Sequence, residues 1–538
     1  EKAVSDTKSD DAPVKEYHGK KSTDNLIEKL NRNLAQQRKE NVKAYRTITL
    51  NTINGDRTTL PHPLNIDYQK QIIEATGAIP TENPAVEEEK QAELAAAKKH
   101  KLKDFVLEDE VPEAEEQAEP EEEFEDYDST GQIWADLCAS HKGLKVRLGM
   151  LTVITMISVI IAVMNDFSLF APYLEKLIAA RRAQARYFAP DRDPYEVLLD
   201  RYEKGLTIAQ CDTFFAALRE TIVPLLAAIK ERGSAIRTDF LYQNWPIEQQ
   251  RKLSKKIMEV WGLDPDHCVL GETEHPFTSG FWHGDVRITT HYMPQDMFSN
   301  LYSVAHEGGH ALYELNVDPK YDYTILAGGA TTGLHESQSR LFENYVGRSR
   351  AFIHYLYPTL LELFPQQLNG VTEEEIYRAV NRAEPSLIRT EADELTYSLH
   401  IMVRYELEKA LMQGTLTVAD LPAAWNAKYK EYLGVDVPDD THGCLQDIHW
   451  AMGDMGYFPS YALGSAYSAQ AVDDLRKTMD LDAQWAEGNM QPLKDALRSR
   501  VWQHGRAKEP KWLVQSLCGG AFDAAHYTNY LKNKYTEL

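Results

Sequence analysis

Cysteine is scarce. The five in 538 residues, Cys138, Cys211, Cys268, Cys444 and Cys518, are scattered and none forms a CxxC pair, which excludes a disulfide framework and fits a reducing compartment. An apolar opening segment with a small-residue cleavage site is also missing. The first stretch, EKAVSDTKSDDAPVKEY, is charged, so no secretory leader is expected there, and with Glu1 rather than Met at its head the natural start is expected to be missing. Basic residues are outnumbered: 58 Lys and Arg against 82 Asp and Glu give a formal charge of −24, which works against binding a phosphate backbone. No nucleic-acid partner is expected. Walker loops, dinucleotide fingerprints and internal repeats are absent too.

What remains is the composition of a soluble globular enzyme, 43% hydrophobic and 26% charged, long enough for two or three units at roughly 100 to 200 residues each. Its character changes near residue 166. Residues 1–135 read as a polar and acidic low-complexity region. Within it, residues 108–128 hold 13 acidic side chains in 21 and no Lys or Arg, the signature of a solvated linker that repels itself. Residues 148–164 (LGMLTVITMISVIIAVM) form an uncharged run behind Lys142, Lys145 and Arg147. A helix of that length spans about 25 Å, just short of a hydrocarbon core of roughly 30 Å. The run fits a marginal membrane helix and a buried helix or strand equally well. The expected location is the cytoplasm, with a single-pass membrane protein as the alternative. From Phe167 the chain reads as compact and mostly helical. Thr207 is placed to cap a helix in which Phe215, Leu218, Ile222, Leu225 and Ile229 recur at helical spacing, with a kink expected at Pro224. Segments 371–415 and 420–434 look similar, whereas Val286, Ile288 and Tyr292 alternate with polar residues as a strand requires.

The chemistry concentrates in HEGGH at 306–310. Two histidines four apart project from one face of a helix and can share one metal, while Glu307 is placed to act as general base on a metal-bound water. Leu301, Val304, Ala305, Leu312 and Leu315 supply the apolar face that would bury this helix. A catalytic zinc needs a third protein ligand. Spacing favours Glu336, in GLHESQSRLFENY, with His335 and Glu343 as competitors. Glu343 is expected to pair with Arg340 or Arg348, and His335 to pack or hydrogen-bond near the site.

Six motifs occur in a telling order: HPF at 275–277, DVRIT at 285–289, HEGGH, HESQ at 335–338, IRTEAD at 388–393 and GCLQDIHW at 443–450. Together they resemble the signature set of the thermostable carboxypeptidase Taq family over residues 168–538, with an acidic tail and apolar run standing where that family has N-terminal helices. The resemblance implies a mostly α, gluzincin-like helical body with a deep groove and a small β element, a homodimer, and zinc or cobalt as the metal. It implies His306, His310 and Glu336 as ligands and Glu307 as base, in a metallocarboxypeptidase acting on peptides. His449, Tyr457 and Tyr461 are candidates for oxyanion stabilisation because the family brings those two motif segments together. Arg389 is the first candidate for anchoring the substrate's terminal carboxylate and Arg287 the second. A local Asp285 pair competes for Arg287, and an Arg389–Asp393 pair on a helix competes for the other. His275 and Asp285 could line the substrate site. An endopeptidase with the same metal site and a catalytically silent, membrane-anchored scaffold are the rival readings.

Overall fold

The computed structural model describes residues 166–232 and 235–538, together with residue 155 and the backbone of two strands at 47–51 and 57–61. The chain divides into two compact units, Glu1–Phe124 and Glu125–Leu538. In the first, the described backbone is one antiparallel pair, β1 (Thr47–Asn51) and β2 (Arg57–Pro61), with Thr47 opposite Pro61. The rest of the low-complexity region expected over 1–135 lies outside the described residues, and so does the apolar run at 148–164 save Thr155. Among the described residues no helix is long and apolar enough to cross a membrane.

The second unit is a helical body. It begins with α1 (Phe167–Phe188), α2 (Pro194–Tyr202), α3 (Ile208–Arg232) and α4 (Ile247–Trp261). Thr207 caps α3 as its position predicts, accepting the Gln210 N–H at 3.2 Å, and the helix runs through Pro224 to Arg232. Its stripe buries Phe215, Leu218 and Ile222, while Leu225 and Ile229 are half-buried. A three-stranded sheet follows: β3 (Cys268–Glu272), β4 (Thr278–Trp282) and β5 (Asp285–Thr290), in the order β3-β5-β4 with β3 parallel and β4 antiparallel to β5. Val286 and Ile288 point into the core from the central strand. Against this sheet packs α5 (Met297–Leu315), which carries HEGGH.

Next come α6 (Thr332–Arg340), continued as a π-helix over Leu341–Gly347, then α7 (Arg350–Leu363) and α8 (Glu373–Val380). The expected helix over 371–415 is interrupted. Residues 381–393 are irregular except for a 3-10 turn at Arg389–Glu391, because Asp393 turns its carboxylate onto the Thr396 N–H at 3.0 Å and starts α9 (Glu394–Gln413) afresh. The remainder is α10 (Leu421–Tyr432), α11 (His449–Met452), α12 (Pro459–Leu475), α13 (Leu481–Ala486), α14 (Gln491–Arg500), α15 (Pro510–Cys518) and α16 (Ala525–Glu537). Small residues dominate α12, where Ser460, Ala462, Gly464, Ser465, Ala466, Ser468 and Ala469 are all buried, so a neighbouring backbone can come close. That neighbour is α6. Buried Glu408 of α9 ties down the segment before α12 by accepting from Trp450 Nε1 at 2.8 Å and Gly456 N at 2.9 Å, and joins it to α2 by accepting from Tyr195 Oη at 2.9 Å. Its burial lifts that carboxyl to about 7.

Candidate metal centre

Two glycines make the site geometrically possible. A Cβ on Gly309 would lie 2.5 Å from the Gln338 carbonyl oxygen and 2.7 Å from Ser339 Cα, so α5 and α6 touch backbone to backbone one residue from His310. Gly308 does the same against the Trp261 ring, with a Cβ at 2.7 Å from its Cδ1. On the far side of α6, Gly464 of α12 leaves room for Glu336, whose Cβ would be 2.7 Å from an added methyl. Glu336 is thus sandwiched between two helices and aimed at α5. Gly309→Ala is expected to push α6 away, lowering metal affinity at least about tenfold and destabilising the fold by about 1 to 3 kcal/mol. Gly520→Ala, with nothing within 4 Å of its Cβ, is the control that should change neither. A titration and a melt of both variants check this.

The resulting donors converge. Glu336 Oε2 lies 3.6 Å from His306 Nε2 and 3.5 Å from His310 Nε2, and one donor atom from each of the three side chains fits within 4.8 Å. Hydrogen bonds behind them fix which atom faces inward. Arg340, one turn along α6, donates from Nε to Glu336 Oε1 at 2.7 Å, leaving Oε2 for the histidines and for Ser339 Oγ at 3.0 Å. His306 Nδ1 donates to Glu343 Oε2 at 2.8 Å. His335 Nε2 donates to Glu314 Oε1 at 2.7 Å, so its Nδ1 accepts from His310 Nδ1 at 2.6 Å. This network assigns both site histidines the tautomer with a free lone pair on Nε2, and each is backed by a carboxylate, directly or through His335. Burial alone would raise the Glu336 carboxyl, but Arg340, then His306 and His310, outweigh it and hold it well below the usual carboxylate range. Glu343 is likewise held low against its burial, by Arg340, His306 and Arg348. Burial lowers His310 and so favours its neutral form, whereas in His306 the nearby Glu336 and Glu343 overcome burial and raise it. Two imidazole nitrogens and an ionised carboxylate, all preorganised, fit a divalent cation.

Glu307 is buried beside this cluster. Its Oε2 accepts from Thr278 Oγ1 of β4 at 2.5 Å, a contact the HPF motif announces only by its next residue. The three donors and Glu307 line a groove of about 1200 Å³ whose walls include His275, Arg389, Tyr457 and Tyr461. Tyr457 and Tyr461 sit with ring centroids 5.2 Å apart, and burial pushes the Tyr457 hydroxyl up to about 12. His449 stands behind them, outside the lining, with Nε2 3.2 Å from Tyr461 Oη and its ring on Phe458 at 4.5 Å. Burial lowers it to about 4, so it is neutral near pH 7.

The other candidates separate. Arg389 is buried, yet its partner is not Asp393, which caps α9. Its Nε donates to Asp447 Oδ1 at 2.8 Å and its Nη1 to Tyr397 Oη at 3.2 Å, while its Nη2 has no hydrogen-bond partner among the described residues. Arg287 and Asp285 do not reach the groove. With Val286 and Ile288 turned inward, they point outward from β5 and pair with each other through two hydrogen bonds of 3.0 and 2.9 Å. His275 lines the groove but makes no side-chain hydrogen bond among the described residues.

The family model for Carboxypeptidase Taq (M32) metallopeptidase matches residues 73–535, beginning ahead of the motif resemblance at 168. Carboxypeptidase 1 of Bacillus subtilis is 41% identical over 375 residues, covering 70% of this chain and 75% of that protein. Thermostable carboxypeptidase 1 of Thermus thermophilus is 39% identical over 384 residues, with 70% and 75% covered. The crystal structure of the M32 carboxypeptidase from Deinococcus radiodurans R1 superposes with a TM-score of 0.70 at 41% identity, covering 72% of this chain and 78% of that one. A Pyrococcus furiosus carboxypeptidase structure gives 0.70 at 35% identity, with 72% and 79% covered. The chain therefore belongs to the carboxypeptidase Taq (M32) family of metallopeptidases.

Proposed function

We propose that this chain is a metal-dependent carboxypeptidase that removes single residues from the free C-terminus of peptides, with His306, His310 and Glu336 holding a divalent ion, zinc in the first place and cobalt as an alternative. The observation that carries the reading is the convergence of those three donors beside Glu307 in a groove, in a chain whose relatives are named carboxypeptidases. When bound, the ion supplies Lewis acidity to a water and to the scissile carbonyl. Glu307, oriented by Thr278, takes a proton from the attacking water on its carboxylate and passes it to the departing amine nitrogen. Tyr457 and Tyr461 are the hydroxyl donors facing the developing oxyanion, and His449 positions Tyr461 from behind.

The exopeptidase step needs a cation that reads the chain end. Arg389 fits because its guanidinium is immobilised by Asp447 and Tyr397 while Nη2 stays available, and a fixed planar fork suits a carboxylate. Arg389→Ala should weaken kcat/KM for free-acid peptides roughly 30-fold or more, the loss expected when one partner of a buried charged contact is truncated by at least about 2 kcal/mol. Asp447 keeps Arg404 Nη2 at 2.5 Å, so the change leaves no unpaired charge behind. The same peptide with an amidated C-terminus is the control: wild type should cleave it poorly, and the variant should treat acid and amide alike. Equal cleavage of both by wild type, with internal fragments in the mass spectrum, would make the protein an endopeptidase.

A further inference from the structure

Glu203 is a buried carboxylate, 6% exposed, with no Lys, Arg or His paired to it among the described residues. It follows α2, and the turn behind it is fixed by Gly205 at φ +86°, whose N–H reaches Asp200 Oδ1 at 2.8 Å. From there its side chain enters the gap between the start of α6 and the start of α12. Glu203 Oε1 accepts the Gly333 N–H and the Ser460 hydroxyl, the latter at 3.0 Å. Gly333 lacks a side chain where the carboxylate enters, since a Cβ there would lie 2.8 Å from Glu203 Oε1. The positive end of α6 stands in for the missing cation.

Both bonds fall one turn from the metal centre. Glu336 is three residues beyond Gly333, and Gly464, which cradles Glu336, is four beyond Ser460. We propose that Glu203 is a positioning residue for Glu336: by binding α6 and α12 through one oxygen, it sets the register of the two helices whose contact aims that carboxylate at His306 and His310. This rests on the reading of Glu336 as a metal ligand. Isolated burial of an acid for general packing would not require two donors from these two helices to meet on one atom. The carboxyl's burial, which lifts it to about 7, shows that the position is held against a desolvation penalty.

The test is a cobalt(II) titration of the full chain, read by affinity and by the visible absorption spectrum at saturation. Glu203→Ala should lower affinity about 10- to 100-fold, the range for groups that orient metal ligands, and should alter the saturated spectrum. Glu203→Gln keeps an oxygen where Oε1 accepts both bonds and should restore wild-type affinity and spectrum. Ser460→Ala removes one bond with little risk to the fold and should weaken cobalt a few-fold. Wild-type affinity and spectrum in folded Glu203→Ala, or in Ser460→Ala should Glu203→Ala not fold, would overturn the proposal. Glu336→Ala run alongside separates the two claims. If it binds cobalt like wild type, the ligand reading has failed and Glu203 with it; if it loses cobalt while Glu203→Ala does not, only the role of Glu203 fails.

Discussion

Glu307→Gln is expected to bind metal as wild type does and to lose at least about 10²- to 10⁴-fold in kcat, the contribution of a positioned general base. The two halves of this outcome come from different atoms. On the proposed reading, metal binding rests on Nε2 of His306 and His310 and on Glu336 Oε2, none of which the substitution touches. The Gln side chain keeps the shape, and its amide oxygen can still accept the Thr278 hydroxyl that now reaches Glu307 Oε2 at 2.5 Å. An amide cannot take a proton from water near neutral pH, so only the transfer is removed. Bound metal per chain and single-turnover rates on a free-acid peptide measure the two halves. Undiminished turnover with metal bound would remove Glu307 from the mechanism, whereas loss of metal would show that its carboxylate supports the centre rather than the proton transfer.

Local spacing explains why so much of this centre was readable. The i, i+4 histidines, the Thr207 cap and the Val286–Ile288 alternation are consequences of helix and strand geometry within a few residues. The same alternation already implies that Asp285 and Arg287 leave the core together, which is how they come to pair on the outer face instead of entering the groove. Less accessible was anything that joins distant segments. Arg389 was expected on a helix near Asp393, but Asp393 is consumed in capping α9, and the partner that fixes Arg389 is Asp447, 58 residues along. Thr278 and Glu307 are 29 apart, and Glu203 and Gly333 are 130 apart. Periodicity carries no information over such separations. The glycines of HEGGH were visible, yet the contacts that require them, Trp261 for Gly308 and the α6 backbone for Gly309, belong to the packed structure.

Glu336→Ala should weaken metal binding by more than 100-fold, while Glu343→Ala should weaken it only about 10- to 100-fold, the range for a group that hydrogen-bonds a ligand. Sequence reasoning treats Glu343 as a bystander occupied by arginines, and its bonds to Arg340 at 2.9 Å and Arg348 at 3.3 Å agree. Its bond to His306 Nδ1 at 2.8 Å adds a second role, because it holds the proton on Nδ1 and so keeps the lone pair on Nε2. Removing Glu343 frees that ring to rotate but leaves three donors in place. Removing Glu336 deletes a donor and its charge. Arg340 is not left unpaired by that change, since it retains Glu343 through Nη1, so the helix that carries the site should survive in Glu336→Ala. Glu343→Ala takes from Arg348 its carboxylate partner, and its melt is the control for fold. Zinc affinities measured by competition with a chelator, alongside melts without metal, give the comparison. Equal affinities in the two variants would mean that Glu336 supports the site from behind as Glu343 does, and the third donor would have to be sought elsewhere in the groove.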